Sequence, residues 1–540
     1  MTFRLLTVCC LAWALPFMSS AQRGSARIWT SDQGDGTYLN PILHLDYSDP
    51  DVVRVGSDFY MTASSFNCVP GLPILHSKDL VNWELINYAL PKQYPEDVFS
   101  SPQHFKGVWA PCIRYHQGTF FIYYGDPDFG IYVLTATDPA GTWSKPKLVV
   151  AGKGLIDPSP LWDDDGNVYL VHAWAASRVR VNSLLTLRKL DPSGTKALDD
   201  GRHVFDGHLD HTTVEGPKFY KRNGYYYIFA PAGGVATGWQ LILRSRNIYG
   251  PYEEKVVLEQ GSTEINGPHQ GGWVDTPTGQ DWFVHFQDKE AYGRIVHLQP
   301  VDWVEGWPLM GKDLDGNGIG EPVTRHPKPD VGQTYPVKHL AASDDFSGSD
   351  IGKQWQWHAN PHVVWSAKLP GTDFLRLFAM PRPADFVNHW STPHLLLQKF
   401  PGPAFTATTQ LTLHPTDTGQ AAGLIIMGRD YSSVQLERVP DGYALLLQSC
   451  EDADKGGAER EVARVSVDEP TVQLRVQVSA PDATCQFQYS TDGTDYQNIG
   501  DPFTARPGGW IGTKVGLYST KSTDSDRGGF GEFAWFSIAN

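Results

Sequence analysis

The sequence predicts an all-β protein in which a five-bladed β-propeller precedes an antiparallel β-sandwich. Three observations carry this expectation. Long helical periodicity is almost absent, and short strand-like runs alternate with turn signals instead. A unit of roughly 50–60 residues recurs through the first part of the chain. Beyond a Pro- and Gly-rich stretch the pattern becomes a clean period-2 alternation.

In chain order, residues 1–21 read as a signal peptide. Arg4 supplies a positive start, Leu5 to Phe17 a short apolar stretch, and Ser19-Ser20-Ala21 small residues for cleavage. The apolar stretch is too short to span a membrane, so the expectation is an exported protein, periplasmic or extracellular. Hairpins follow: Asp51–Ser57 with Asp58–Ser64, then Phe120–Tyr124, Val168–His172 and Tyr225–Ala230. Their turns include Asp164-Asp165-Gly166-Asn167 and Arg222-Asn223-Gly224. The segments around His76–Trp83, Thr135–Trp143 and Arg244–Tyr252 resemble one another, with a degenerate copy at Leu187–Thr195. Positions 83, 143, 195 and 252 lie 60, 52 and 57 apart, and one more unit reaches Trp307. Five such units make a propeller of residues 30–335, whereas a sandwich would not repeat at this period. Gly320 to Pro336 suits a linker. Residues 340–540 form the second domain: Val472, Leu474, Val476 and Val478 point one way, and Gln473, Arg475 and Gln477 the other.

Composition narrows the function. Of 540 residues 60 are Asp or Glu and 44 Lys or Arg, a net charge of −16, which argues against nucleic acid and anionic membranes as partners. The 18 tryptophans fit either β-core packing or sugar-stacking platforms. Of these, Trp355, Trp357 and Trp510 are expected in the core. Four cysteines follow the leader, Cys68, Cys112, Cys450 and Cys485. They lack metal-binding spacing, though a Cys450–Cys485 bridge fits within the second domain.

Each propeller unit opens on a distinctive residue: Asp49, Trp109, Asp157, Glu215 and His269, at spacings of 60, 48, 58 and 54. Equivalent positions on successive blades ring the central axis, so three acids, an indole and an imidazole converge on one funnel. Glycoside cleavage needs a protonated and an ionised carboxyl flanking the bond. A third carboxylate nearby raises the pKa of the acid by like-charge repulsion.

These segments resemble glycoside hydrolase family 43, and the resemblance covers residues 30–335. Tyr47-Ser48-Asp49-Pro50-Asp51 is similar to the family's general-base motif, which implies that Asp49 is the base. Gly154–Ser159 resembles the segment whose acid, here Asp157, tunes and orients the proton donor. Val214-Glu215-Gly216-Pro217 resembles the general-acid motif. Trp109-Ala110-Pro111 is similar to a segment lining the sugar pocket, and Tyr292-Gly293-Arg294 to one whose Arg contacts the sugar. The resemblance implies exo-acting, inverting release of α-L-arabinofuranosyl or β-D-xylosyl units from plant cell-wall hemicellulose. Phe66 with Pro70-Gly71 and His76–Trp83 resembles the β-xylosidase branch, which commonly carries a C-terminal, concanavalin-like sandwich. Asn67-Cys68-Val69 departs from that branch, which places bulky aromatics there, and implies a less crowded rim that leaves both pentoses open.

Trp109, Phe66, Arg294 and His269 are thus the expected substrate-binding residues. His269 is either a channel-filling histidine or an axial ligand of a Ca²⁺ or Na⁺ ion that some family members carry. Asp313-Leu314-Asp315-Gly316-Asn317-Gly318 begins like a calcium loop, but the twelfth position is Thr324 rather than Glu, which favours a polar turn. No cofactor is expected to be required. The rival readings are a retaining hydrolase on the same scaffold, an endo-arabinanase, and a carbohydrate-binding protein without activity. The sandwich is expected either to close one edge of the pocket or to bind polysaccharide at a distance.

Overall fold

The computed structural model describes residues 28–522 and 527–540, so the expected signal peptide lies outside the described residues. A short strand β1 (Thr37–Leu39) is followed by five four-stranded antiparallel sheets. The first comprises β2 (Asp51–Val55), β3 (Asp58–Thr62), β4 (Gly71–Ser77) and β5 (Trp83–Leu90). The second comprises β6 (Trp109–His116), β7 (Thr119–Asp126), β8 (Gly130–Ala136) and β9 (Lys147–Ala151). The third is β10 (Leu155–Trp162), β11 (Val168–Trp174), β12 (Leu184–Leu190) and β13 (Arg202–Asp206). The fourth is β14 (Lys218–Arg222), β15 (Tyr225–Ala232), β16 (Trp239–Ser245) and β17 (Glu253–Leu258). The fifth is β18 (His269–Asp275), β19 (Asp281–Asp288), β20 (Arg294–Val304) and β21 (Trp307–Met310). Strands β2, β6 and β10 neighbour one another in turn, β10 meets β14, and β18 returns to β2, which closes a five-bladed propeller.

Each blade lies between two others, so its middle strands bury both faces. That is why Phe120-Phe121-Ile122-Tyr123-Tyr124 reads as a continuous apolar run rather than an alternation, and all five side chains are buried. The recurrent aromatic positions also find their reason. Trp83 and Trp307 open the outermost strands of their blades, and Trp143, Thr195 and Tyr252 lie just ahead of theirs.

The stretch expected as a linker is partly structured. Strand β22 (Arg325–Pro327) pairs antiparallel with β1, and residues 40–47 then run along β20, where Leu43 and Val296 exchange backbone hydrogen bonds. Chain entry and exit are thereby tied to the last blade.

The second domain is two eight-stranded sheets face to face. Val472, Leu474, Val476 and Val478 all point into the core between them, with Leu424, Leu436, Phe533 and Phe536 opposite or beside them. The Cys450–Cys485 bridge that the sequence allowed is not formed. Cys450 ends strand Gly442–Cys450 of one sheet and Cys485 lies in strand Thr484–Ser490 of the other, and both are free thiols buried in separate clusters. The Asp313–Gly318 segment is a polar turn: Asp313 accepts the amide hydrogens of Gly316 and Gly318, and Asp315 that of Asn317. No helix among the described residues is long and apolar enough to cross a membrane.

Candidate active site

Every innermost strand begins with a kink. Asp49, Ala110, Asp157, Gly216 and Gln270 have φ of +53°, +25°, +58°, +58° and +35°. In the second, third and fifth blades the kink coincides with a β-bulge, at 109–112, 156–159 and 269–271. Bulges re-aim side chains, and such backbone costs about 1–3 kcal/mol per non-glycine residue, so it persists where the surroundings enforce it. The equivalence that the sequence spacing suggested is therefore shifted by one residue. The kinked position is the acid itself in the first and third blades. In the second, fourth and fifth it follows Trp109, Glu215 and His269.

Asp49 is buried and held by three donors. Ser48 Oγ and Ser64 Oγ donate to its Oδ2 at 2.8 and 2.5 Å, and Arg294 Nη1 donates to Oδ1 at 3.1 Å. Ser64 is itself oriented by the Ala110 N–H at 2.7 Å, so the kink of the second blade positions the acid of the first. Arg294 opens β20, lies over the Phe286 ring at 4.8 Å and also donates to Ser48 Oγ. Its Nε has no protein partner.

Asp157 accepts the Gly216 N–H at 2.7 Å. Position 216 requires glycine: φ is positive, and a Cβ there would stand 2.7 Å from Gln270 Cγ. Burial raises the pKa of Asp157, with Asp49 adding to the effect. Glu215 is raised too, first by burial and then by the charges of Asp157 and Asp49, against the pull of Arg294. Among the described residues the Glu215 carboxyl takes no hydrogen bond, whereas the Gly216 amide favours ionised Asp157. The proton of the pair therefore belongs on Glu215. His269 is fully buried, with Nε2 3.7 Å from Glu215 Oε1. Burial and Arg294 hold its pKa down to about 3, so it is a neutral imidazole. Neither ring nitrogen has a protein partner, and nor do Trp109 Nε1 and Gln270 Oε1. These unpaired polar atoms around paired carboxyls suit a ligand rich in hydroxyl groups. Among the described residues no three of His, Cys, Asp or Glu gather where a metal ion would sit.

One wall is aromatic and comes from both domains. Phe66 and Trp109 meet edge to face at 6.5 Å. Trp510, expected in the sandwich core, instead leaves it and is 36% exposed. It packs at 4.6 Å on Trp109, 5.3 Å on Phe105 and 6.2 Å on Phe66. The Arg178 guanidinium lies over the Trp109 ring, 5.2 Å from its centroid. Trp355 and Trp357 are core residues as expected. The Trp510 contacts bring a sandwich residue against Trp109 and Phe66, which suits the first of the two roles expected for that domain. Ser64 and Trp510 were missed by sequence reasoning. Ser64 carries no motif, but Trp510 sits in Gly508-Gly509-Trp510-Ile511-Gly512, a glycine-rich loop that marks an exposed aromatic.

Asn67-Cys68-Val69 is not a pocket rim. All three are buried against the sandwich: Asn67 donates to the His358 carbonyl, Lys514 Nζ to Cys68 Sγ at 2.8 Å, and Val69 pairs with Trp357. The segment lacks bulky aromatics because it is filled from the other domain, so it says nothing about which pentose fits.

Residues 38–308 match the family model Glycosyl hydrolases family 43, and residues 343–539 match the model Beta xylosidase C-terminal Concanavalin A-like domain. A β-xylosidase of Formosa agariphila is 32% identical over 96% of this chain and 92% of its own length. A non-reducing-end α-L-arabinofuranosidase of Bacteroides ovatus is 29% identical, covering 93% of this chain and 94% of its own. The crystal structure of a xylan β-1,4-xylosidase from Bacillus halodurans superposes with a TM-score of 0.82 over 93% of this chain and 100% of that one. At 24% identity it is a likeness of fold.

Proposed function

The chain belongs to glycosyl hydrolases family 43 and is a glycoside hydrolase; from that premise we propose that it is an exported, exo-acting, inverting enzyme that removes β-D-xylosyl or α-L-arabinofuranosyl units from plant hemicellulose or its oligosaccharides. One observation carries the reading. Three acids from three blades, Asp49 and Asp157 buried and Glu215 partly exposed, lie close enough to perturb one another, with the donors arranged so that Asp49 accepts three while Glu215 favours its protonated form.

Asp49 takes the proton of the attacking water, from a position set by Ser48, Ser64 and Arg294. Glu215 gives its proton to the leaving glycosidic oxygen. Asp157 keeps Glu215 protonated through its negative charge and aligns the segment through the Gly216 amide. The cluster of Phe66, Trp109 and Trp510 offers aromatic surface on which a sugar ring can stack, and the name of the Bacteroides ovatus relative, a non-reducing-end enzyme, supports removal of one terminal sugar. The names of the relatives support both pentoses. Export is supported by the pattern of residues 1–21.

The test compares Glu215→Ala and Asp49→Ala on xylo-oligosaccharides, arabinoxylan oligosaccharides and 4-nitrophenyl pentosides. Loss of the acid should spare the nitrophenyl substrates, whose leaving group needs no proton, more than loss of the base does. Wild-type rates in both variants would overturn the assignment.

A further inference from the structure

Asp46 lies three residues before Asp49 and is 4% exposed, with no cation paired to it among the described residues. Taking a carboxylate out of water is costly unless donors replace it. Its two donors come from different domains. Oδ1 accepts the N–H of Arg294, at the start of β20, at 2.9 Å; Oδ2 accepts the N–H of Gly512, in the sandwich loop that carries Trp510, also at 2.9 Å. The two backbones are in contact at this point. A Cβ on Gly293 would stand 2.6 Å from Gly512 N and from Asp46 Oδ1, and a Cβ on Gly512 would stand 2.8 Å from Gly293 N. The next residue, Thr513, donates to the Ala291 carbonyl at 2.8 Å. At the other end of the loop Gly509 has a φ of +104° and backs onto Phe105, where a Cβ would meet the ring at 2.5 Å.

We propose that Asp46 is a positioning residue that fastens the Trp510 loop to the strand bearing Arg294, and so sets the width of the sugar subsite. This rests on the hydrolase reading above. The carboxylate is the only part of Asp46 that the geometry uses: each oxygen faces one amide hydrogen, so a side chain with a single acceptor satisfies only one domain. Without the fork, Trp510 is still attached to the sandwich but no longer held at 4.6 Å from Trp109.

The test uses the full-length chain with Asp46→Asn, which keeps the volume but puts an N–H₂ against one of the two amides, and Trp510→Ala, singly and together. The expected result is a rise of about tenfold in KM for 4-nitrophenyl pentosides, as for loss of one hydrogen bond to a charged group, with kcat changed far less. The rise should vanish when Trp510 is already Ala, because the residue then has nothing to position. A second readout needs no activity. Trp109 and Trp510 cross at 86°, a geometry that gives an exciton-coupled circular dichroism signal. The signal lost in Trp510→Ala should be reduced in Asp46→Asn. A tenfold rise that persists in the double variant, or an unchanged KM and an unchanged couplet, would overturn the proposal. Absence of wild-type turnover would sink the hydrolase reading instead, and the couplet would still decide on Asp46.

Discussion

Ser64 offers a sharp probe of how Asp49, the proposed base, is held. Replacing it with Ala removes a hydroxyl that donates to Asp49 Oδ2 at 2.5 Å and accepts from Ala110 N at 2.7 Å, in a site where Ser64 is 3% exposed. Two losses follow. Asp49 keeps two of its three donors, and a hydrogen bond to a charged group is worth about 1.5–3 kcal/mol. The Ala110 N–H is left buried without an acceptor, at about 1–3 kcal/mol. The first loss falls on the reacting geometry and corresponds to a decrease in kcat/KM of roughly ten- to a hundredfold. The second falls on stability and should lower the melting temperature by several degrees. Initial rates on 4-nitrophenyl β-D-xyloside or α-L-arabinofuranoside, together with a thermal melt, separate the two. Wild-type kcat/KM with a lowered melting temperature would mean that Asp49 does not depend on this hydroxyl, and that the link between the first and second blades is structural only.

Four further outcomes are expected. Burial, Asp157 and Asp49 raise Glu215, so activity should fall as pH rises through its elevated pKa. Asp157→Asn removes one of the like charges and should move that alkaline limb of kcat/KM to lower pH; a limb that stays put or moves up would contradict the role of Asp157. Because the folded pKa of Glu215 lies above its unfolded value, its contribution to stability is present at low pH and lost as pH rises, so Glu215→Gln should melt above wild type only on the alkaline side. In the sandwich, Trp355 is 1% exposed and donates to Asp344 Oδ2 at 3.0 Å, so Trp355→Ala should cost about 3–5 kcal/mol in chemical denaturation; a near-neutral effect would place it outside the core. Cys450 and Cys485 are free and buried, so a thiol reagent should modify neither in the native protein, and reductant should leave the melting temperature unchanged.

The propeller was legible because it repeats. Blades of similar length put turns and aromatics at a common spacing, and residues in phase with that spacing converge on the axis. The three acids could therefore be read together, although Asp49 and Glu215 lie far apart in the chain. The one-residue slip between kinks and side chains was not legible, because it lives in φ angles such as that of Ala110, which its residue type disfavours. Nor was anything that depends on the second domain. Trp510 reaches Trp109 across some 400 residues without any periodic signature, and Asn67-Cys68-Val69 looked like an open rim because the residues that cover it, His358 and Lys514, come from the sandwich. Cysteine count likewise allowed a bridge that the fold does not make, since the two thiols are buried in separate clusters.

In the proposed reaction Asp49 activates water directly while Glu215 protonates the leaving group, with no covalent intermediate. Proton NMR of the first sugar released from 4-nitrophenyl β-D-xyloside tests it most directly. α-Xylose should appear first and mutarotate afterwards, whereas initial release of β-xylose would mean a two-step retaining reaction.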